Sequence, residues 1–97
     1  MAYAQSMALC WAASQGDINE MCRLVANGYD LNAADYDGRT AIHLAASNGQ
    51  TQMVKYLFEK QVNMNPRDRW EGTPLKDAKR EGHSLLYEWI KAKGGIE

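Results

Sequence analysis

The residues able to carry chemistry are few and scattered. His43 and His83 are the histidines, Cys10 and Cys22 the cysteines, and Asp30, Asp35 and Asp37 form a loose run of carboxylates. A histidine base works only with a nucleophile and a charge stabiliser converging on it. His43 lies just inside a helix start marked by Thr40, His83 follows Gly82 in a turn, and neither has such companions in the sequence around it. The aspartates stand in turn sequences, where a carboxylate accepts backbone N–H bonds. The cysteines form no CxxC pair and have no histidine at metal-ligand spacing, so they read as reduced, buried thiols of an intracellular protein. No glycine-rich phosphate loop occurs, because the eight glycines are spread singly apart from Gly94-Gly95 near an end expected to fray. The expectation is therefore no catalytic residue, no metal and no cofactor.

What remains is recognition, and composition narrows its kind. The chain has 97 residues, 45% hydrophobic and 24% charged, which suits one small globular domain. Eleven Lys and Arg against 12 Asp and Glu leave a net charge of −1, without the cationic excess that a nucleic-acid binder needs. Apolar runs such as Met7 to Ala13 fall far short of the roughly 18 residues of a membrane span, and no charged leader precedes a secretory segment. A soluble, cytoplasmic protein is expected. Residues 67 to 93 hold seven Lys or Arg against five acids, while the residues before them hold four against six. That mild dipole is either a solvated face or a means of steering an acidic partner.

Self-similarity supplies the framework. Sliding the sequence by 33 places Ala12 on Ala45 and Ala78, Gly16 on Gly49 and Gly82, and Leu9 on Ile42 and Leu75. Within the second copy, Thr40 suits a helix N-cap, and the matching Thr73 precedes Pro74, whose missing N–H costs nothing at the first helical position. Asn48-Gly49 stops that helix, and Met53, Val54, Leu57 and Phe58 recur as the buried stripe of a second one. Val62 to Pro66 suits an extended arm and turn. Trp11, Tyr56 and Trp89 lie on helical stripes and are expected in the core or between copies.

The run Asp37-Gly38-Arg39-Thr40-Ala41-Ile42-His43-Leu44-Ala45-Ala46 with Gly49, and Gly72-Thr73-Pro74-Leu75 after it, resembles the ankyrin repeat signature. The first copy matches through Ala12 to Asp17 and Ala26 to Ala33, so the likeness covers essentially the whole chain. It implies an all-α solenoid, residues 1–97 as a single domain, with three helix-turn-helix repeats at about 2–34, 35–67 and 68–97 joined by short β-hairpin-like loops. Departures fall at Gln61 in place of Gly28, Glu71 in place of Gly38, and Lys76 in place of His43. They put local loop geometry in question. Glu20 and Arg23 replace Met53 and Tyr56 as an N-terminal cap, and Lys76, Asp77, Lys79 and Lys91 replace apolar or aromatic residues as a C-terminal cap. The resemblance also implies that His43 bonds between neighbouring loops.

Finger arms and first helices line a concave face in such repeats, so the resemblance implies a module that binds another protein or peptide; a monomer is the default expectation, and the charge balance and short apolar runs point away from nucleic acid and a membrane. Carried over by position, the finger residues are Tyr36, Asp37 and Arg39, then Arg69 and Trp70. The helix-end residues are Ser14 and Gln15, Ser47 and Asn48, and Arg80 and Glu81. Two arrangements of the fingers are open: Tyr36, Arg39, Arg69 and Trp70 as one aromatic and cationic strip, or Trp70 folded onto its own arm with Arg39 paired to Asp37. The finger segments are similar, besides, to the C-terminal ankyrin segment of animal-type glutaminases and to some plant ankyrin-containing kinases. An accessory domain of an enzyme is thus the alternative, and a structural spacer or oligomerisation piece a weaker one.

Overall fold

A computed structural model describes residues 3–97, and within them six helices run in chain order. They are α1 (Ala4–Gln15), α2 (Ile18–Ala26), α3 (Ala41–Ser47), α4 (Thr51–Glu59), α5 (Pro74–Arg80) and α6 (Ser84–Ala92). No strand forms among the described residues, but each arm closes like a hairpin: Asp35 N–H donates to Arg39 O at 2.9 Å and Asp68 N–H to Gly72 O at 3.0 Å.

Turn chemistry makes each pair. Gly16, Gly49 and Gly82 take positive φ between the two helices of their copies, and Asp17 caps α2 by accepting the Glu20 N–H at 3.0 Å. Thr73 caps α5 by accepting the Lys76 N–H at 3.2 Å, with Pro74 in the first turn. Thr40 caps α3 in another manner: its own N–H donates to His43 Nδ1 at 3.0 Å.

The first helices α1, α3 and α5 pack side by side, and each leans on the second helix of its own copy. Leu9, Ile42 and Leu75 face this seam, met by Leu24, Met53, Val54, Leu57 and Ile90, all buried. Burying such side chains stabilises by about 1.5–3 kcal/mol each, and no copy has enough of them to stand alone.

Both departures at turn positions keep the turn. Gln61 and Glu71 adopt φ of 63° and 62° despite their side chains. A Cβ on Gly38 would meet the Asp68 Cα of the next arm at 3.2 Å, whereas Glu71 lies in the last copy and is exposed. Glycine is needed where an arm follows.

Four expectations are corrected. Asp77 is fully buried and not part of a solvated cap face, because Arg39 and Arg80 both pair with it. Trp11 is 68% exposed and does not join the core. Cys22 is exposed while Cys10 is buried. The end around Gly94-Gly95 is held in place: Asn65 accepts the Ile96 N–H at 2.9 Å, and Thr73 Oγ1 donates to Ile96 O at 2.6 Å.

The thiols should therefore separate chemically. Burial pushes the Cys10 thiol up to about 11, so little thiolate forms there near neutral pH. Thiol titration of the native protein should count Cys22 alone, and both cysteines once denaturant is added.

Candidate recognition surface

The histidines are consumed by structure. His43 Nδ1 accepts the Thr40 N–H, so Nε2 carries the proton and donates to Gly72 O at 2.8 Å, stapling α3 to the following arm. One copy earlier the same place is held by Cys10, whose thiol donates to Arg39 O at 3.7 Å. His83 Nε2 donates to Ser47 O at 3.0 Å, as Gln50 Nε2 does to Ser14 O at 3.0 Å. These are links between neighbouring copies, with no ring nitrogen of His43 left to act as a base.

Burial lowers the pKa of His43, because the charged ring is poorly solvated there, and this outweighs the help from the Gly72 carbonyl. A group whose folded pKa lies below its unfolded value contributes its full stability above about 6.5 and loses it as the pH falls from there toward the folded value. Asp68 is opposed by burial, yet N–H bonds from Gly72 and Trp70 and the nearby Arg39 guanidinium hold its carboxyl below the usual range. Its contribution is present above about 3.8 and lost below. Thermal melts should fall from pH 7 toward pH 5 and fall again below about pH 4, and His43→Gln should flatten the upper step alone.

The arms carry the candidate binding residues. Each is built on an aspartate: Asp35 Oδ1 accepts the Asp37 and Arg39 N–H groups at 2.8 and 3.0 Å, and Asp68 Oδ1 accepts those of Trp70 and Gly72 at 2.9 and 2.8 Å. The arms then bond each other, with Arg69 N–H donating to Asp37 O at 2.8 Å. This rigid turn throws Tyr36 and Trp70 outward, 68% and 63% exposed. Trp70 is not folded away; the Arg69 guanidinium lies 5.6 Å from its ring centre.

Arg39 does not pair with Asp37. Its guanidinium reaches across to the next copy, 2.7 Å from Asp68 Oδ2 and 3.0 Å from Asp77 Oδ2, and Asp37 pairs with Arg69 at 3.2 Å instead. Arg80 holds Asp77 and Glu81 at 3.0 and 2.9 Å.

Two clefts open on either side of Arg39. One, of about 520 Å³, is lined by Asp37, Arg39, Asp68, Trp70, Gly72, Lys76 and Arg80. The other, of about 400 Å³, is lined by Met7, Cys10, Trp11, Ser14, Asp35, Tyr36, Arg39 and Leu44. So Tyr36, Asp37, Arg39, Trp70, Arg80 and Ser14 are brought to the clefts, while Gln15, Ser47, Asn48, Arg69 and Glu81 line neither. Asn48 and Ser47 instead donate to Leu44 O at 2.8 and 3.4 Å.

Sequence reasoning missed Met7, Trp11, Leu44 and Lys76. A signal existed: Tyr3, Met7 and Trp11 recur at i, i+4 and i+8, on a different face of α1 from buried Leu9, Ala12 and Ala13. A short helix apolar on two faces has one more face than its core can use.

Stacked helix pairs, arms bonded to arms and a furrow along the first helices define a solenoid repeat protein. A family model described as "Ankyrin repeats (3 copies)" matches residues 9–96, and the chain belongs to the ankyrin repeat family. It is similar to an L-asparaginase of Dirofilaria immitis (41% identity, 91% of this chain and 15% of that protein). It also resembles a putative glutaminase of Caenorhabditis elegans (44% identity, 81% of this chain and 13% of that protein). A potassium channel of Arabidopsis thaliana matches as well (39% identity, 86% of this chain and 10% of that protein). The chain thus spans about a tenth to a seventh of the length of these relatives. Among the described residues no helix is long and apolar enough to cross a membrane.

Proposed function

We propose that this chain is a non-catalytic recognition module, acting as a monomer inside the cell, that seats a segment of a partner protein along the furrow formed by its arms and first helices. The observation that carries this reading is the row of three large aromatic side chains on that side: Trp11, Tyr36 and Trp70 are 68%, 68% and 63% exposed on backbone fixed by hydrogen bonds. Rigid aromatics bury large area at small entropic cost, and truncating one at an interface typically costs about 2 kcal/mol or more. Retention of a partner from cell lysate should be lost in the Tyr36→Ala/Trp70→Ala variant, with thermal stability unchanged. Equal retention by both proteins would move the site elsewhere.

A second reading is an accessory ankyrin segment of a larger hydrolase of the glutaminase kind. Its support is that the chain matches relatives named asparaginase and glutaminase over 13–15% of their length. A transcript whose reading frame continues upstream of Met1 into a hydrolase domain would carry it.

A further inference from the structure

The two clefts differ in character, and the difference says what kind of segment fits them. The cleft beside α1 is walled by Met7, Trp11, Tyr36 and Leu44, with Tyr3 edge-on to Tyr36 at 6.2 Å between ring centres. It suits an aromatic or long aliphatic side chain.

The cleft beside α5 contains acids and bases in near balance, but they sit at different depths. Its carboxylates are sunk, with side-chain exposures of 19% for Asp37 and 3% for Asp68, and Asp77, outside its lining, is fully buried. Of its cations Arg80 stands outward, 55% exposed, but pairs with Glu81, itself 45% exposed. Lys76 is exposed too and has no ion-pair partner among the described residues. Carboxylates and guanidiniums paired with one another contribute little field outside, so among the described residues the ammonium of Lys76 is the unpaired charge that an approaching chain meets at this cleft.

Resting on the reading of the furrow as the binding site, we propose that its occupant is an extended peptide segment carrying one large apolar side chain and, beside it along the chain, an acidic one. The apolar group fills the Trp11/Tyr36 cleft. The carboxylate meets Lys76 across the face of Trp70, and Arg39 stands between the two clefts as the divider that fixes their order.

The probes are short fluorescein-labelled peptides in which a tryptophan and a glutamate stand at varied spacing, beside matched sets with glutamine or lysine in place of glutamate. Fluorescence polarisation should show the best glutamate peptide binding about tenfold or more tighter than its lysine counterpart. Lys76→Glu should reverse that order, and Lys76→Gln should abolish the preference without reversing it, which keeps the question answerable if the reversal unfolds the chain. Trp11→Ala should weaken every set alike. No binding by any set, no preference for the acid, or a preference that survives both Lys76 variants would overturn the proposal. Unchanged affinity of the best glutamate peptide for Tyr36→Ala/Trp70→Ala would instead overturn the furrow as the site. A dimer in light scattering that excludes the peptides would assign the face to a second copy and overturn both.

Discussion

Arg39→Ala should lower stability by about 3 kcal/mol, as expected when one partner of a mostly buried ion pair is removed. The side chain is 18% exposed and ties two carboxylates that are 3% and 0% exposed, so its loss leaves charge stranded between the second arm and α5. Two features temper the cost: Asp77 keeps Arg80, and Asp68 keeps the N–H groups of Trp70 and Gly72. For a chain of this size the melting temperature should drop by roughly 15 °C. Urea melts test it, and the control is Arg39→Ala made together with Asp68→Asn and Asp77→Asn. With the stranded charges gone, adding Arg39→Ala to that background should cost much less than it does alone. A melt of the single variant within about 1 kcal/mol of wild type would show that water reaches the pair freely.

Gly38→Val should cost about 2–3 kcal/mol through two effects that act at the same atom. A β-branched residue at φ of +76° is strained by about 1–2 kcal/mol, and its Cβ would lie 3.2 Å from the Asp68 backbone and 3.4 Å from the Arg67 carbonyl, which cannot swing aside as a side chain can. Separating the arms would also weaken the bond from Arg69 N–H to Asp37 O and loosen both Tyr36 and Trp70. The reciprocal change, Glu71→Gly, relieves a similar φ of 62° at an exposed position, and should raise stability by up to about 1 kcal/mol. Paired chemical melts of the two variants check both signs. A neutral Gly38→Val would mean that the arms are not in register.

The period of 33 made the helix pairs, the cap at Thr73 and the core positions Leu9, Ile42 and Leu75 legible, because each depends on local turn chemistry and on apolar spacing. The arms were legible as places but not as contacts. Pairing Arg39 with Asp37, two residues away, is the arrangement that proximity in sequence suggests; the real partners are 29 and 38 residues on, one copy further. A register shows which residues are equivalent, and not which copy a long side chain will reach into. Asp77 misled for the same reason: by position it replaces Leu44, yet its carboxylate is buried because a cation from the neighbouring copy neutralises it. The stripe position of Trp11 predicts a place in the core or between copies, where aromatic residues on helical stripes usually lie. Only the packing of α1 on α3 shows that its face opens to the furrow, and that it meets the Tyr36 finger there.

Hydrogen bonds between copies in this molecule span close to one period, and the longest side-chain bond among the described residues joins positions 38 apart. That has a kinetic meaning. Closing a loop of one period carries only a modest entropic cost, and each further copy repeats a closure of that size in place of a longer one. On the ribosome no pair can settle by itself, so the first seam forms only once a second pair has emerged, and the third then docks on a seam already made.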